Sequence, residues 1–583
     1  MTNRVRILAS LFFVLMPVAV PVHAETAINP EHAKHGMVAS VQSDASKAGV
    51  AIMKQGGNAV DAAVATGFAL AVTHPVAGNI GGGGFMLVRM SSGEVHFIDY
   101  REKAPAKATR DMYLDAKGNV LPDLSLVGYK ASGVPGSVAG MVFAEKHFGK
   151  LTLQQVMAPA IRLAREGFAL SYEDGQGFQD ENLSKFAEYR RIFQRNGKFY
   201  QPGEIFRQPE LAKTLEQISA DPGAFYKGSI ARQIAADMAK GGGLITAEDL
   251  AAYEVKERPV IRGTYRGYEV LSAPPPSSGG IALVEALNIL EGFDLEKFGG
   301  HSAAAMHLTL ESYRRAFFDR AEFLGDPDFA KIPVAQLVDK KYGVAWRETI
   351  DLNRATPSAD LKRPEGFTDL DRYAMSHGQP KVFVEPEDTT HYSVVDEGGN
   401  AVAVTTTLNG GFGSYVTVES LGFLLNNEMD DFSSKTGVPN QYGLIQGEAN
   451  SIGPGKRPLS AMTPTIVLKD GKLFMVLGSP GGPRIITTVA NILMGVADYG
   501  LNIQQAVNAP RFHNQWMPDG DYVEEGISPD TLRLLKKMGH TILHDEGDGF
   551  GYWSDGECIL VDPKSGERQG ASDGRNNGHA VGY

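Results

Sequence analysis

The chain has 583 residues, 43% hydrophobic and 21% charged, with 67 glycines, 31 prolines, one cysteine and a formal net charge of -12. A disordered chain, a collagen or a disulfide scaffold would need fewer apolar side chains, a glycine period or many cysteines, so all three are excluded. A pI near 5.7 without any run of Lys and Arg excludes a nucleic-acid partner and leaves a small-molecule substrate.

In chain order, Arg4 and Arg6 precede an apolar stretch from Ile7 to Val22, and Val22-His23-Ala24 offers a small-residue cleavage pattern. Residues 1–24 therefore read as a removable secretory signal and the mature protein as periplasmic or secreted. The alternative, a membrane anchor, fits poorly because the stretch is short and broken by Pro17 and Pro21. No second long apolar run follows, so no membrane span is expected once the signal is gone. Cys558 has no partner in the chain and reads as a core filler.

The spacing predicts helices over Ser43 to Lys54 and Asn58 to Val72. In the second, Asn58 is the N-cap, and Val60, Val64, Phe68 and Ala71 form one buried face. A glycine loop, Gly81 to Gly84, leads into a predicted hairpin of Phe85 to Met90 and Val95 to Tyr100. The middle third reads as mostly helical, for example Leu153 to Arg165 and Ile281 to Leu290. Neither Gly81 to Gly84 nor Gly478-Ser479-Pro480-Gly481-Gly482 has a phosphate-loop or dinucleotide spacing; on its own such a cluster is a tight turn. Histidines are scattered without metal-ligand spacing, so neither metal nor cofactor is implied. From Asp351 to Asp388 the chain becomes polar and Pro-containing and reads as a movable segment. At Thr389 a hairpin begins abruptly: Thr389 to Asp396, a turn at Glu397 to Asn400, and Ala401 to Leu408.

The strings NAVDAAVAT (58–66), DYREKAPAKA (99–108), TTHYSVVD (389–396), LLNNEMDDFS (424–433), KRPLSAMTPT (456–465) and GSPGGPRIITT (478–488) together resemble the γ-glutamyltranspeptidases (glutathione hydrolases), a family of N-terminal-nucleophile hydrolases. The resemblance implies an α+β fold, a four-layer αββα sandwich formed jointly by two subunits from one self-cleaved precursor. It implies a cut between Asp388 and Thr389, giving a large subunit of residues 25–388 and a small catalytic subunit of 389–583 that stay associated. The implied substrates are glutathione and other γ-glutamyl compounds, with water, amino acids or dipeptides as acceptors.

The chemistry can be argued beside the name. A threonine hydroxyl needs a base, and cleavage makes one: a free α-amino group with an ordinary pKa of about 7.7 to 8.0. By resemblance, Arg101 holds the donor's α-carboxylate through its planar guanidinium. Asn409, Glu428 and Asp431 take its ammonium, Thr407 supports Thr389, Gly481 and Gly482 form the oxyanion site, and Tyr442 lies in a lid, Pro439 to Gly455. Ser460 donates to the carboxylate, but Ala461 stands where the family commonly has a second serine. Taken alone, Thr389-Thr390 is a pair of strand formers, Arg101 a surface ion-pair partner, Asp430-Asp431 a solvated turn, and Pro439 to Gly455 an exposed loop. Two readings stay open beside γ-glutamyl transfer: a glutaryl or cephalosporin acylase of the same family, and a non-cleaving periplasmic binding protein for γ-glutamyl peptides.

Overall fold

Side chains along a strand point alternately to opposite faces, and here both faces are apolar. Val394, Val402, Val404, Met86 and Val88 enter a core shared with helices. Their neighbours Val395, Ala401, Ala403, Phe85 and Leu87 enter a second core together with Leu271, Ile466, Val476 and Ile559. A sheet apolar on both faces must be covered on both, and the computed structural model, which describes residues 29–121, 123–367, 389–543 and 553–583, shows how.

The first sheet runs in space as His579–Gly582, Met37–Ser40, Thr389–Val395, Ala401–Thr407, Gly83–Arg89, Val95–Asp99 and Lys256–Glu257. The second runs as Glu31–Ala33, Arg568–Ala571, Cys558–Val561, Lys472–Leu477, Thr465–Lys469, Tyr268–Ser272 and Ile261–Tyr265. Helices Ser43–Lys54, Ala59–Thr73 and Leu153–Glu166 cover the first sheet. Helices Gly279–Leu290, Ala303–Phe323 and Arg484–Ala497 cover the second. The fold is thus the expected α+β sandwich, with layers α, β, β, α. Both sheets interleave strands from before and after residue 389.

Several local expectations hold. Asn58 caps Ala59–Thr73, accepting from Val60 N at 2.8 Å and Asp61 N at 3.1 Å. Asp396, closing the Thr389 strand, accepts from Ala59 N at 3.0 Å, so two of the recurring sequence strings meet. Cys558 is buried and unpaired.

Other expectations need correction. Ala59–Thr73 is buried on every face, not one, because it is sandwiched between the sheet and neighbouring helices. The helical reading of the middle third missed Ile261–Tyr265 and Tyr268–Ser272. These form a hairpin whose two turn residues, Arg266 and Gly267, both have positive φ (51° and 83°), the mark of a two-residue turn matched to strand twist. The Gly81 to Gly84 cluster makes no positive-φ turn; a Cβ on Gly82 would stand 2.0 Å from Thr407 O. Its glycines allow backbones to touch. Within the segment read as movable, residues 351–367 are anchored: Ser358 and Arg363 are buried, and Arg363 Nε donates to Asp319 at 2.7 Å. The rest of that segment, including Asp388, lies outside the described residues, as do residues 1–24, read from the sequence as a signal. No described helix is long and apolar enough to cross a membrane.

Candidate active site

Thr389 opens its strand directly opposite Thr407. Antiparallel partners share a face, which brings the two hydroxyls to 3.1 Å. Thr407 Oγ1 also accepts the Asn409 N–H at 2.8 Å, and in its contact with Thr389 either hydroxyl can be the donor. Asn409 reaches this position through a left-handed backbone (φ 78°), pinned by Tyr442, whose hydroxyl donates to Asn409 O at 2.7 Å and lies 3.0 Å from Oδ1.

No titratable side chain among the described residues hydrogen-bonds Thr389 Oγ1. The nearest histidine in sequence, His391, is not a base for it. Its ring nitrogens contact Thr405 Oγ1 (2.9 Å) and Ser393 Oγ (3.1 Å), and burial pushes its pKa down to about 3. Serine-protease logic, with an imidazole on the hydroxyl, is therefore absent from the described site.

A cavity adjoins Thr389. Arg101, Thr389, Thr407, Asn409, Glu428, Asp431, Tyr442, Ser460 and Gly482 all line it. Gly481 does not line it but immediately precedes Gly482. The two glycines have φ of 114° and 51°, which other residues rarely adopt. They lead into Arg484–Ala497, and neither N–H donates a hydrogen bond within the described protein. Two unengaged donors at the positive end of a helix suit a developing oxyanion.

The end of the cavity at Arg101 holds more charge than the sequence suggests. Arg101 is fully buried; it pairs with Glu428 Oε1 at 2.5 Å and with Asp431, and Glu102 lies 3.6 Å away. Burial works against the Arg101 charge, but Glu428, Asp431 and Glu102 outweigh it and hold it above its ordinary value. Burial likewise pushes Glu428 well above the usual carboxylate range, only partly offset by Arg101, and Glu102 up to about 7. Glu428 thus carries the Arg101 ion pair on Oε1 and lines the cavity. The surface ion-pair alternative for Arg101 and the solvated-turn alternative for Asp430-Asp431 do not hold, since all three residues are buried.

Further sequence-remote residues complete the site. Asp99 braces it by accepting from Arg101 N (3.0 Å), Arg258 Nε (2.7 Å) and Arg457. Tyr253 donates to Arg101 O at 2.8 Å, and Arg320 lines the cavity. The exposed-loop alternative for the Tyr442 segment fails at Tyr442 itself, which is buried. Ser460 Oγ accepts from Met462 N at 3.0 Å, and Ala461 lines the cavity without a hydroxyl.

Asp430 joins this segment to the body, accepting from Ser125 Oγ at 2.6 Å and Gln441 N at 3.1 Å. Burial raises its pKa to about 6, partly offset by those bonds. A carboxyl that holds its proton more tightly when folded makes stability fall as pH rises from its unfolded value near 4 to about 6, and level off above. Asp430→Asn should remove that part of the decline, on the order of 2 to 3 kcal/mol. The check is the thermal midpoint of both proteins between pH 4 and 7, compared as a difference.

The sequence profile described as Gamma-glutamyltranspeptidase matches residues 45–583. The chain belongs to the γ-glutamyltranspeptidase family. It is 51% identical over 556 residues to the glutathione hydrolase proenzyme of Escherichia coli (strain K12), covering 95% of this chain and 92% of that one. Among solved structures, the cephalosporin acylase from Bacillus halodurans superposes with a TM-score of 0.82 at 28% identity, covering 98% of this chain and 99% of that one. The Helicobacter pylori γ-glutamyltranspeptidase superposes with a TM-score of 0.55 at 43% identity, covering 58% of this chain and 96% of that one.

Proposed function

We propose that the chain is an exported proenzyme that cuts itself between Asp388 and Thr389 and then hydrolyses or transfers γ-glutamyl groups through an ester on Thr389. The observation that carries this reading is a cavity with two chemically different ends. One holds a threonine hydroxyl supported by a second threonine, with no side-chain base among the described residues; the other holds a guanidinium among carboxyls.

In the precursor, Thr389 Oγ1 attacks the Asp388 carbonyl carbon. The C–N bond breaks, the nitrogen takes the hydroxyl proton, and water hydrolyses the resulting ester to leave a free α-amine on Thr389. In the mature enzyme that amine removes the Oγ1 proton, directly or through a water. Oγ1 attacks the γ-carbonyl carbon, and the oxygen becomes negative against the N–H groups of Gly481 and Gly482. Collapse of this intermediate expels the amine half of the donor, which leaves with the proton. Water, or the amino group of an amino acid or dipeptide, then attacks the ester and restores the hydroxyl. Fragments 25–388 and 389–583 stay together because each contributes strands to both sheets.

Within the donor, Arg101 and Ser460 receive the α-carboxylate and Asn409, Glu428 and Asp431 the α-ammonium. The acidic residues Glu428 and Asp431 in the cavity lining favour γ-glutamyl over glutaryl, because a glutaryl group has no ammonium to offer them. The acylase reading keeps a structural relative in its favour, so the two donors must be compared on the purified protein. The γ-glutamyl anilide should be cleaved with the higher kcat/KM, and Ala461→Ser should improve its KM about two- to twelvefold, the worth of one neutral hydrogen bond. Faster cleavage of the glutaryl anilide would assign the chain to the acylases instead.

A further inference from the structure

Arg320, on Ala303–Phe323, lines the same cavity and is 2% exposed. Its Nε donates to Ser278 Oγ at 2.9 Å, and Ser278 Oγ donates to Ser460 O at 2.6 Å. This chain of contacts fixes the guanidinium beside the Ser460 segment. Its terminal nitrogens donate to no group among the described residues, and it forms no ion pair there.

That isolation sets it apart. Arg314, Arg315, Arg363, Arg457 and Arg511 are comparably buried, and each pairs with a carboxylate. Burial lowers the Arg320 pKa to about 10, with Asp431 opposing the shift, so the side chain still carries its charge at neutral pH. A buried charge without an ion-pair partner is strongly unfavourable, and among the described residues Arg320 has only the more distant field of Asp431. The cavity it faces is where an anion can complete it.

Arg101 is in the opposite condition, with its terminal nitrogens already committed to Glu428 and Asp431. Next to Ser460, Ala461 offers no hydroxyl. We propose that Arg320 is a second cation for the distal carboxylate of the acyl donor and, with Arg101, sets the site's selectivity for donors that carry that anion. A guanidinium with two terminal nitrogens unengaged can take a carboxylate by two parallel N–H···O bonds. The inference rests on reading the Thr389 cavity as an acyl-donor site. It applies to any donor with a carboxylate at that end, γ-glutamyl or glutaryl.

The test is calorimetric binding of L-glutamate and of its α-carboxamide, L-isoglutamine, to mature wild-type protein and to Arg320→Met. Glutamate should bind Arg320→Met about 10- to 100-fold more weakly, the range for a lost charged hydrogen bond. Isoglutamine should change less than about threefold, so the preference for the acid collapses. Equal weakening of both ligands, which a merely structural support of Asp431 would cause, overturns the proposal, and so does no change in either. Arg320→Lys guards against misfolding of the methionine variant. As a point charge without the fork, it should show a smaller loss confined to glutamate, and equal losses there are again fatal. Binding needs no turnover. A wild-type protein that shows this Arg320-dependent preference yet cleaves no γ-glutamyl anilide would sink the functional reading and leave the Arg320 assignment standing.

Discussion

Thr389→Ala should yield one uncut chain with no measurable γ-glutamyl hydrolysis, a fall of at least about 10³-fold in kcat on the scale of lost nucleophiles. The expectation follows from position. Thr389 stands opposite Thr407 at the start of its strand, and in the proposed mechanism its hydroxyl is the group that both the cut and the acyl transfer require. Folding should survive, because the register of the strand is held by six further pairs and by Met37–Ser40 on its other side. A denaturing gel and an anilide assay on the same preparation read both outcomes. Residual hydrolysis by uncut Thr389→Ala would show that another nucleophile does the work.

Arg101→Gln is expected to have the second-largest effect. The substitution removes the cation paired with Glu428 and Asp431 and leaves those carboxyls, with Glu102, buried without that partner. Breaking one side of a buried pair costs about 3 to 5 kcal/mol in stability. Losing a charged anchor for the donor costs a further 2 to 5 kcal/mol or so in binding, about 30- to 4,000-fold in kcat/KM. Most of the kinetic loss should fall on KM, since the anchor lies at the end of the cavity away from the reacting bond. Arg101→Lys should recover part of it, keeping the charge without the planar fork. Steady-state kinetics with a γ-glutamyl anilide, together with thermal melts, separate the two effects. A KM within twofold of wild type in Arg101→Gln would remove this residue from the donor site.

How much of this was legible in the sequence depends on range. The Thr389 hairpin and the Asn58 cap are local patterns, and local patterns survive translation into structure. The site residues could be gathered only by family resemblance, because Arg101 and Asp431 are 330 positions apart and no periodicity links them. Their direct pairing was missed for a physical reason. An Arg between Tyr100 and Glu102 and a pair of Asp residues each look solvated until the fold brings them together away from water. Arg320 was missed more completely. Ala303–Phe323 carries Glu311, Arg314, Arg315, Asp319 and Arg320, a charge density that ordinarily marks an exposed face, yet all five are buried. Most of these charges neutralise one another or a neighbour, as Glu311 does with Arg314 and Arg315 and Asp319 with Arg363. Nothing in a linear string shows which one is left over. The hairpin at Ile261–Tyr265 and Tyr268–Ser272 escaped because its turn, Arg266-Gly267, lacks the Asn or Asp that usually announces one.

The account stands on a new amino terminus at Thr389, and intact-mass analysis with N-terminal sequencing of the active wild-type protein addresses it. Two fragments of roughly 39 and 21 kDa are expected, sharing out 62.7 kDa over 583 residues, with the smaller beginning at Thr389. A fully active protein that is a single chain, with the Thr389 nitrogen still in a peptide bond, would contradict it.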